Sequence, residues 1–142
     1  MSKVLIVDDH AFIRRGVRGI LQDFPEWEIS GEADNGEDAV RLARELKPEI
    51  ILMDVSMPGI TGLEATKRIR TADRSVKIIL LTLHDSQELV RSAFLLGANG
   101  YLLKADAERE LIRALTIVMG DGTYVSPKID AEFVKKLLAA GE

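Results

Sequence analysis

The sequence predicts a doubly wound α/β domain, a five-stranded parallel sheet in the order 2-1-3-4-5 with helices on both faces. Three observations carry this. Apolar, strand-like runs alternate strictly with segments of helical spacing, five of each. The links between them suit parallel strands joined by right-handed crossovers. The first, third and fourth runs are continuously apolar, as interior strands are, while the second alternates apolar and polar residues, as an edge strand does.

In chain order, Val4-Leu5-Ile6-Val7 is a strand ending in Asp8-Asp9, and Phe12, Ile13, Val17, Ile20, Leu21 and Phe24 give the first helix, stopped by Pro25. Trp27, Ile29, Gly31 and Ala33 alternate with Glu26, Glu28, Ser30 and Glu32 to give the edge strand. Asn35 caps a second helix with an acidic first turn, carrying Ala39, Val40, Leu42, Ala43 and Leu46 up to Pro48. Ile50-Ile51-Leu52-Met53 is too short for an isolated helix, is bounded by Pro48 and Pro58-Gly59, and delivers Asp54 to its carboxyl end. Thr61 with Glu64 forms a capping box for a helix through Leu63, Ala65 and Ile69. Val76 to Leu83 is the fourth strand, and Asp85 or Ser86 caps a helix through Leu89, Val90, Ala93 and Phe94. Gly97-Ala98-Asn99-Gly100 turns into Tyr101-Leu102-Leu103-Lys104, and Asp106 opens a helix with Leu111, Ile112, Leu115, Ile117 and Val118.

At 142 residues the chain suits one domain, placed at 1–120, followed by a tail at 121–142. Residues 131–140, with Phe133, Val134, Leu137 and Leu138 at helical spacing, form an amphipathic segment that either packs back on the domain or meets a partner. Its terminal position favours a linker helix over a sixth core helix. The absence of cysteine excludes disulfides and thiolate-metal sites. No apolar run reaches membrane-spanning length and no secretory signal is recognisable, so a cytoplasmic protein with no membrane partner is expected. A net charge of −4 with both signs mixed argues against direct nucleic-acid binding by these residues.

In the expected strand order, Asp8 and Asp9 at the end of strand one and Asp54 at the end of strand three meet at the crevice where the winding reverses, with Thr82 and Lys104 ending the strands beyond. Each alone has an ordinary structural role open to it, as helix cap, β-branched strand residue or solvated lysine. Together, three carboxylates repel unless a cation sits among them, and oxygen-only ligands favour Mg²⁺. Mg²⁺, an ammonium and a hydroxyl around one aspartate provide what a phosphoryl group needs, with Asp54 as in-line nucleophile.

Val7-Asp8-Asp9-His10, Asp54-Val55-Ser56-Met57-Pro58, Leu81-Thr82 and Gly97-Ala98-Asn99-Gly100-Tyr101-Leu102-Leu103-Lys104 resemble, in order and spacing, the receiver domain of two-component response regulators, over Lys3 to Met119. The resemblance implies the flavodoxin-like (βα)5 fold, phosphorylation of Asp54 by a sensor histidine kinase, and slow autodephosphorylation. It implies Mg²⁺ held by Asp8, Asp9, Asp54 and the main-chain carbonyl of Ser56. Ser56 and His84 match positions that tune dephosphorylation, and Tyr101 matches an aromatic switch that turns inward when Thr82 moves toward the phosphoryl group. The output face would be helix four, strand five and helix five, with homodimerisation on phosphorylation a further expectation. Ala105 stands where many members have a proline preceded by a cis bond. A cis bond before a non-proline residue costs roughly 2.5–4 kcal/mol, which leaves the geometry of the Lys104-Ala105 bond open. Gly-Tyr-Leu-Leu-Lys without proline, with Asp121-Gly122-Thr123-Tyr124-Val125-Ser126-Pro127 later, resembles the LuxR/NarL-type subfamily, whose receivers precede a helix-turn-helix domain. DNA would then be contacted only through an output domain absent from these residues. The alternative is a stand-alone receiver acting on a protein partner in a phosphorelay or motility system. A phosphate-ester hydrolase is disfavoured because such enzymes place a second acid where Ser56 stands.

Overall fold

The computed structural model describes residues 2–140. Strands β1 (Ser2–Val7), β2 (Trp27–Ala33), β3 (Ile50–Met53), β4 (Lys77–Thr82) and β5 (Gly100–Leu103) alternate with helices α1 (Ala11–Leu21), α2 (Gly36–Leu46), α3 (Gly62–Ala72), α4 (Gln87–Leu95) and α5 (Ala107–Met119). The tail adds a short strand, β6 (Tyr124–Val125), and a helix, α6 (Ala131–Ala140). All pairings are parallel and the order is β2-β1-β3-β4-β5-β6. The first five strands therefore stand as the apolar patterning predicts.

Side chains of a strand alternate between faces, so each interior strand feeds two cores. Leu5, Val7, Ile51, Met53, Ile78, Leu80 and Tyr101 lie on the face covered by α2, α3 and α4. Val4, Ile6, Ile50, Leu52, Ile79, Leu81 and Leu102 lie on the face covered by α1 and α5. With each fully buried Leu, Ile or Val contributing roughly 1.5–3 kcal/mol, these central strands form a rigid platform under the loops at their carboxyl ends.

Helix starts follow the expected chemistry with one difference, at Thr61. Asn35 accepts a hydrogen bond from the Asp38 amide, and Ser86, not Asp85, caps α4 by accepting from the Leu89 amide. Thr61 accepts from the Glu64 amide at 3.1 Å, but the Glu64 carboxylate turns to Arg68, so only half of the capping box forms. Phe12, expected on the buried face of α1, is instead 76% exposed, because Val17 and Leu21 set that face.

The sixth strand is the main departure in the sheet. Tyr124 and Val125 align with Gly100 and Tyr101, so β5 is not an edge along that stretch. Behind it, Ile129 is buried and Phe133, Val134 and Leu137 pack against the same core as α4, with the Arg91 guanidinium 5.2 Å from the centre of the Phe133 ring. Packing back on the domain is thus what the amphipathic face of α6 does. Residues 141 and 142 of the expected tail lie outside the described residues.

Candidate functional site

Every sequence-predicted site residue except Tyr101, which lies within β5, sits at the carboxyl end of a strand or in the loop that follows it. Asp8 and Asp9 follow β1, Asp54 follows β3, Thr82 ends β4, and Lys104 follows β5. The sheet brings four of them into one cluster. Lys104 Nζ lies 2.8 Å from Asp8 Oδ2 and 3.4 Å from Asp54 Oδ2, and both carboxylates are almost fully buried. Donor atoms of Asp8, Asp9, Asp54 and also His10 all fall within 4.8 Å of one another.

Burial, and then the neighbouring Asp8 charge, push the Asp54 carboxyl above its ordinary value of 3.8, against the opposing pull of Lys104. Folding therefore favours the protonated form of Asp54. Its stabilising proton is fully bound below the unfolded value and is lost as pH rises through the higher folded value, so ionised Asp54 costs stability at neutral pH. Asp54→Asn is expected to raise the melting temperature by a few degrees at neutral pH in a chelator, with the gain vanishing below about pH 4. Thermal melts across that range check this, and a variant that melts lower than wild type at neutral pH would contradict it.

The same arrangement satisfies the requirements of a cation site. Asp8 Oδ2 and Asp9 Oδ1 are buried and accept no hydrogen bond among the described residues, although Asp8 Oδ2 is ion-paired to Lys104 and Asp9 Oδ1 stands 3.1 Å from His10 Nδ1. Buried acceptors of this kind need a partner, and converging carboxylate oxygens suit a hard divalent ion.

A second set of contacts joins the remaining candidates. Ser56 Oγ lies 3.2 Å from His84 Nε2, although 28 residues separate them in the chain. The Tyr101 hydroxyl donates to the His84 carbonyl at 2.6 Å. Tyr101 is fully buried, and burial holds its hydroxyl proton up to about 12, so it stays a donor at neutral pH. Thr82 Oγ1 accepts from the His84 amide at 3.2 Å, leaving the hydroxyl proton available to another acceptor. Thr82 and Asp54 share no hydrogen bond among the described residues; Thr82 Oγ1 instead meets the His84 amide. The Lys104-Ala105 bond is trans, since the described residues contain no cis peptide, and Lys104–Asp106 instead form a single 3-10 turn leading into α5.

Residues 4–116 match the family model described as the response regulator receiver domain. The chain belongs to that family. Among relatives, this receiver is 39% identical over 136 residues to the response regulator GacA of Pseudomonas aeruginosa, covering 96% of the chain and 64% of GacA. It is 43% identical over 129 residues to the response regulator UvrY of Escherichia coli, covering 91% of the chain and 59% of UvrY. The chain thus spans under two thirds of the length of these relatives. A two-component response regulator of the LuxR family from Aurantimonas superposes with a TM-score of 0.90 at 33% identity, with 97% of this chain and 99% of that one covered. These likenesses place the receiver in the LuxR/NarL-type branch.

The structure adds residues that sequence reasoning did not single out. His10 Nδ1 stands 3.2 Å from Asp8 Oδ1 and 3.1 Å from Asp9 Oδ1, with its backbone amide also donating to Asp8 Oδ1. Arg14 donates to the Asp8 carbonyl at 2.6 Å and so fixes the turn after β1. Ser126, just past β6, accepts from the Leu103 amide at 2.8 Å and donates its own amide to the Tyr101 carbonyl, which ties down the strand end carrying Lys104. The adjacency of His10 to the acid pair was the one signal readable beforehand. Among the described residues, no helix of this receiver is long and apolar enough to cross a membrane.

Proposed function

We propose that this receiver accepts a phosphoryl group from a sensor histidine kinase onto Asp54 and thereby changes a protein interface. One observation carries the reading: a buried, proton-hungry Asp54 stands within 3.4 Å of a buried ammonium and beside two further carboxylates at the winding reversal. In the transfer, an Asp54 carboxylate oxygen attacks phosphorus in line as the bond to the donor's imidazole nitrogen breaks, and that nitrogen leaves with the electron pair. Lys104 moves none of the protons; its fixed charge meets the negative charge on the phosphoryl oxygens. Thr82 offers its free hydroxyl proton to one of those oxygens. Asp8, Asp9, Asp54 and the main-chain carbonyl of Ser56 would hold Mg²⁺, which when bound neutralises charge on the phosphoryl group. Ser56 and His84, in contact at the mouth of the site, control the access of water that returns Asp54 to its free state.

The response is a population shift. The phosphoryl group favours the state in which Thr82 reaches it, and Thr82, His84 and Tyr101 are already linked through the loop after β4. The output face includes α4 and α5, and the tail, with β6 along β5 and α6 against α4, lies directly on the route from that face to whatever follows in the chain. As its resemblance to the LuxR/NarL-type branch implies, the receiver controls a DNA-binding output domain in a cytoplasmic regulator, with pairing of two receivers on phosphorylation. Radiolabelled phosphoryl transfer from an autophosphorylated histidine kinase tests the reading. Label should appear on the wild-type chain and be absent from Asp54→Asn, whereas equal labelling of both would refute Asp54 as acceptor.

A further inference from the structure

We infer, on the basis of the phosphoryl transfer proposed for Asp54, that Ser126 in the tail is a positioning residue for Lys104, which makes the segment after α5 part of the phosphorylation machinery. Along a parallel strand every second residue turns its amide and carbonyl to the same neighbour, so Tyr101 and Leu103 both face the β6 side of β5. β6 pairs with Gly100 and Tyr101 and ends at Val125, which leaves the Leu103 amide beyond the ladder. Ser126 Oγ accepts from that amide at 2.8 Å, and the Ser126 amide donates to the Tyr101 carbonyl at 2.9 Å. Ser126 is 1% exposed, so solvent does not stand ready to replace its hydroxyl.

The restraint falls where the lysine needs it. Leu103 directly precedes Lys104, whose ammonium must keep its place 2.8 Å from Asp8 Oδ2 and 3.4 Å from Asp54 Oδ2 to meet the charge of a phosphoryl group. After Lys104, Ala105 has no ring to fix φ, and the chain passes at once through the single 3-10 turn Lys104–Asp106. Asp106, 1% exposed, ends that turn with Oδ1 3.1 Å from Arg109 Nη2 and 3.8 Å from Lys128 Nζ. The tail therefore grips the lysine loop on both sides, at Leu103 through Ser126 and at Asp106 through Lys128. The Lys128 contact is the weaker, being longer and on an exposed side chain. Without the Ser126 hydroxyl, the Leu103 amide becomes a buried donor with no acceptor, and the strand end shifts to relieve it. A displacement of the ammonium by about 1 Å is enough to cost up to about 100-fold in rate.

Phosphorylation by acetyl phosphate with saturating Mg²⁺, followed by intact mass, tests this on wild type, Ser126→Ala, Ser126→Thr, Lys104→Ala and the Lys104→Ala/Ser126→Ala double variant. Ser126→Ala is expected to lower the maximal rate about tenfold and leave the half-saturating acetyl phosphate concentration within about twofold, since the lysine is misplaced for the transfer but still present. Ser126→Thr keeps the hydroxyl and should recover most of the rate. In the Lys104→Ala background the Ser126→Ala change should alter the rate by less than about twofold, because the hydroxyl acts through the lysine. Ile129→Ala removes a buried apolar side chain from the same tail and leaves Ser126 in place. It should lower the melting temperature and keep the rate within about twofold of wild type. Thermal melts establish that every variant is folded at the temperature of the rate measurements. A Ser126→Ala rate within about twofold of wild type, the same fractional loss with and without Lys104, or an equal loss in Ile129→Ala overturns the role of Ser126 and leaves phosphorylation of Asp54 standing. Absence of a phosphoryl adduct on wild type overturns both.

Discussion

Lys104→Ala is expected to slow phosphorylation of Asp54 by roughly two to three orders of magnitude, the usual loss when one preorganised charge is removed from a developing anion. The lysine is 7% exposed and lies between Asp8 and Asp54, with no second ammonium within ion-pairing distance of either carboxylate among the described residues. Removing it leaves two buried carboxylates facing each other. The cation-free fold should lose about 3 kcal/mol in urea denaturation, at the low end of what an uncompensated buried charge costs. Added Mg²⁺ should recover part of that loss in stability and little of the lost rate. Lys104→Arg should restore stability better than rate, because a planar guanidinium cannot occupy the point between two carboxylates as an ammonium does. A phosphorylation rate for Lys104→Ala within a few-fold of wild type would remove the lysine from the chemistry.

The second large effect concerns a residue with no polar chemistry at all. A Cβ on Gly62 would stand 1.8 Å from the Asp54 carbonyl oxygen and 2.9 Å from Val55 Cα, and both obstacles are backbone. Gly62 starts α3, and its amide donates to the Val55 carbonyl at 2.8 Å, so the helix is drawn directly onto the chain that follows the phosphoacceptor. Gly62→Ala cannot be absorbed by a rotamer change. It should cost about 3 kcal/mol or more and displace Asp54, lowering both the urea midpoint and the phosphorylation rate. Gly16→Ala is the matched control, since Gly16 is exposed in α1 with nothing within 4 Å of the added methyl. There the change should stabilise by up to about 1 kcal/mol through helix propensity. Equal stability of the two variants would contradict the close approach at Gly62.

Much of this was legible in the residues because the decisive signals are local. The step from Ile50-Ile51-Leu52-Met53 to Asp54 and from Val4-Leu5-Ile6-Val7 to Asp8-Asp9 marks both a buried strand and its polar end. Once two such strands are neighbours, their ends must meet. What escaped depends on contacts between distant segments. β6 is two residues long, too short for any periodicity, and exists because the edge of β5 is there to pair with it. Gly62 reads as an ordinary helix start until the chain reversal brings the Asp54 carbonyl against it. Phe12 fits the helical spacing of α1 but falls on the side turned from Val17 and Leu21. His10 lacks any pattern beyond standing next to two acids, and its ring position becomes visible only through its distances to both.

Intact mass after incubation with acetyl phosphate and Mg²⁺ tests the central claim most directly, with wild type and Asp54→Ala run side by side. A single phosphoryl adduct on wild type that requires Mg²⁺ and is absent from Asp54→Ala is the expected result. An adduct of the same size and yield on Asp54→Ala would contradict it.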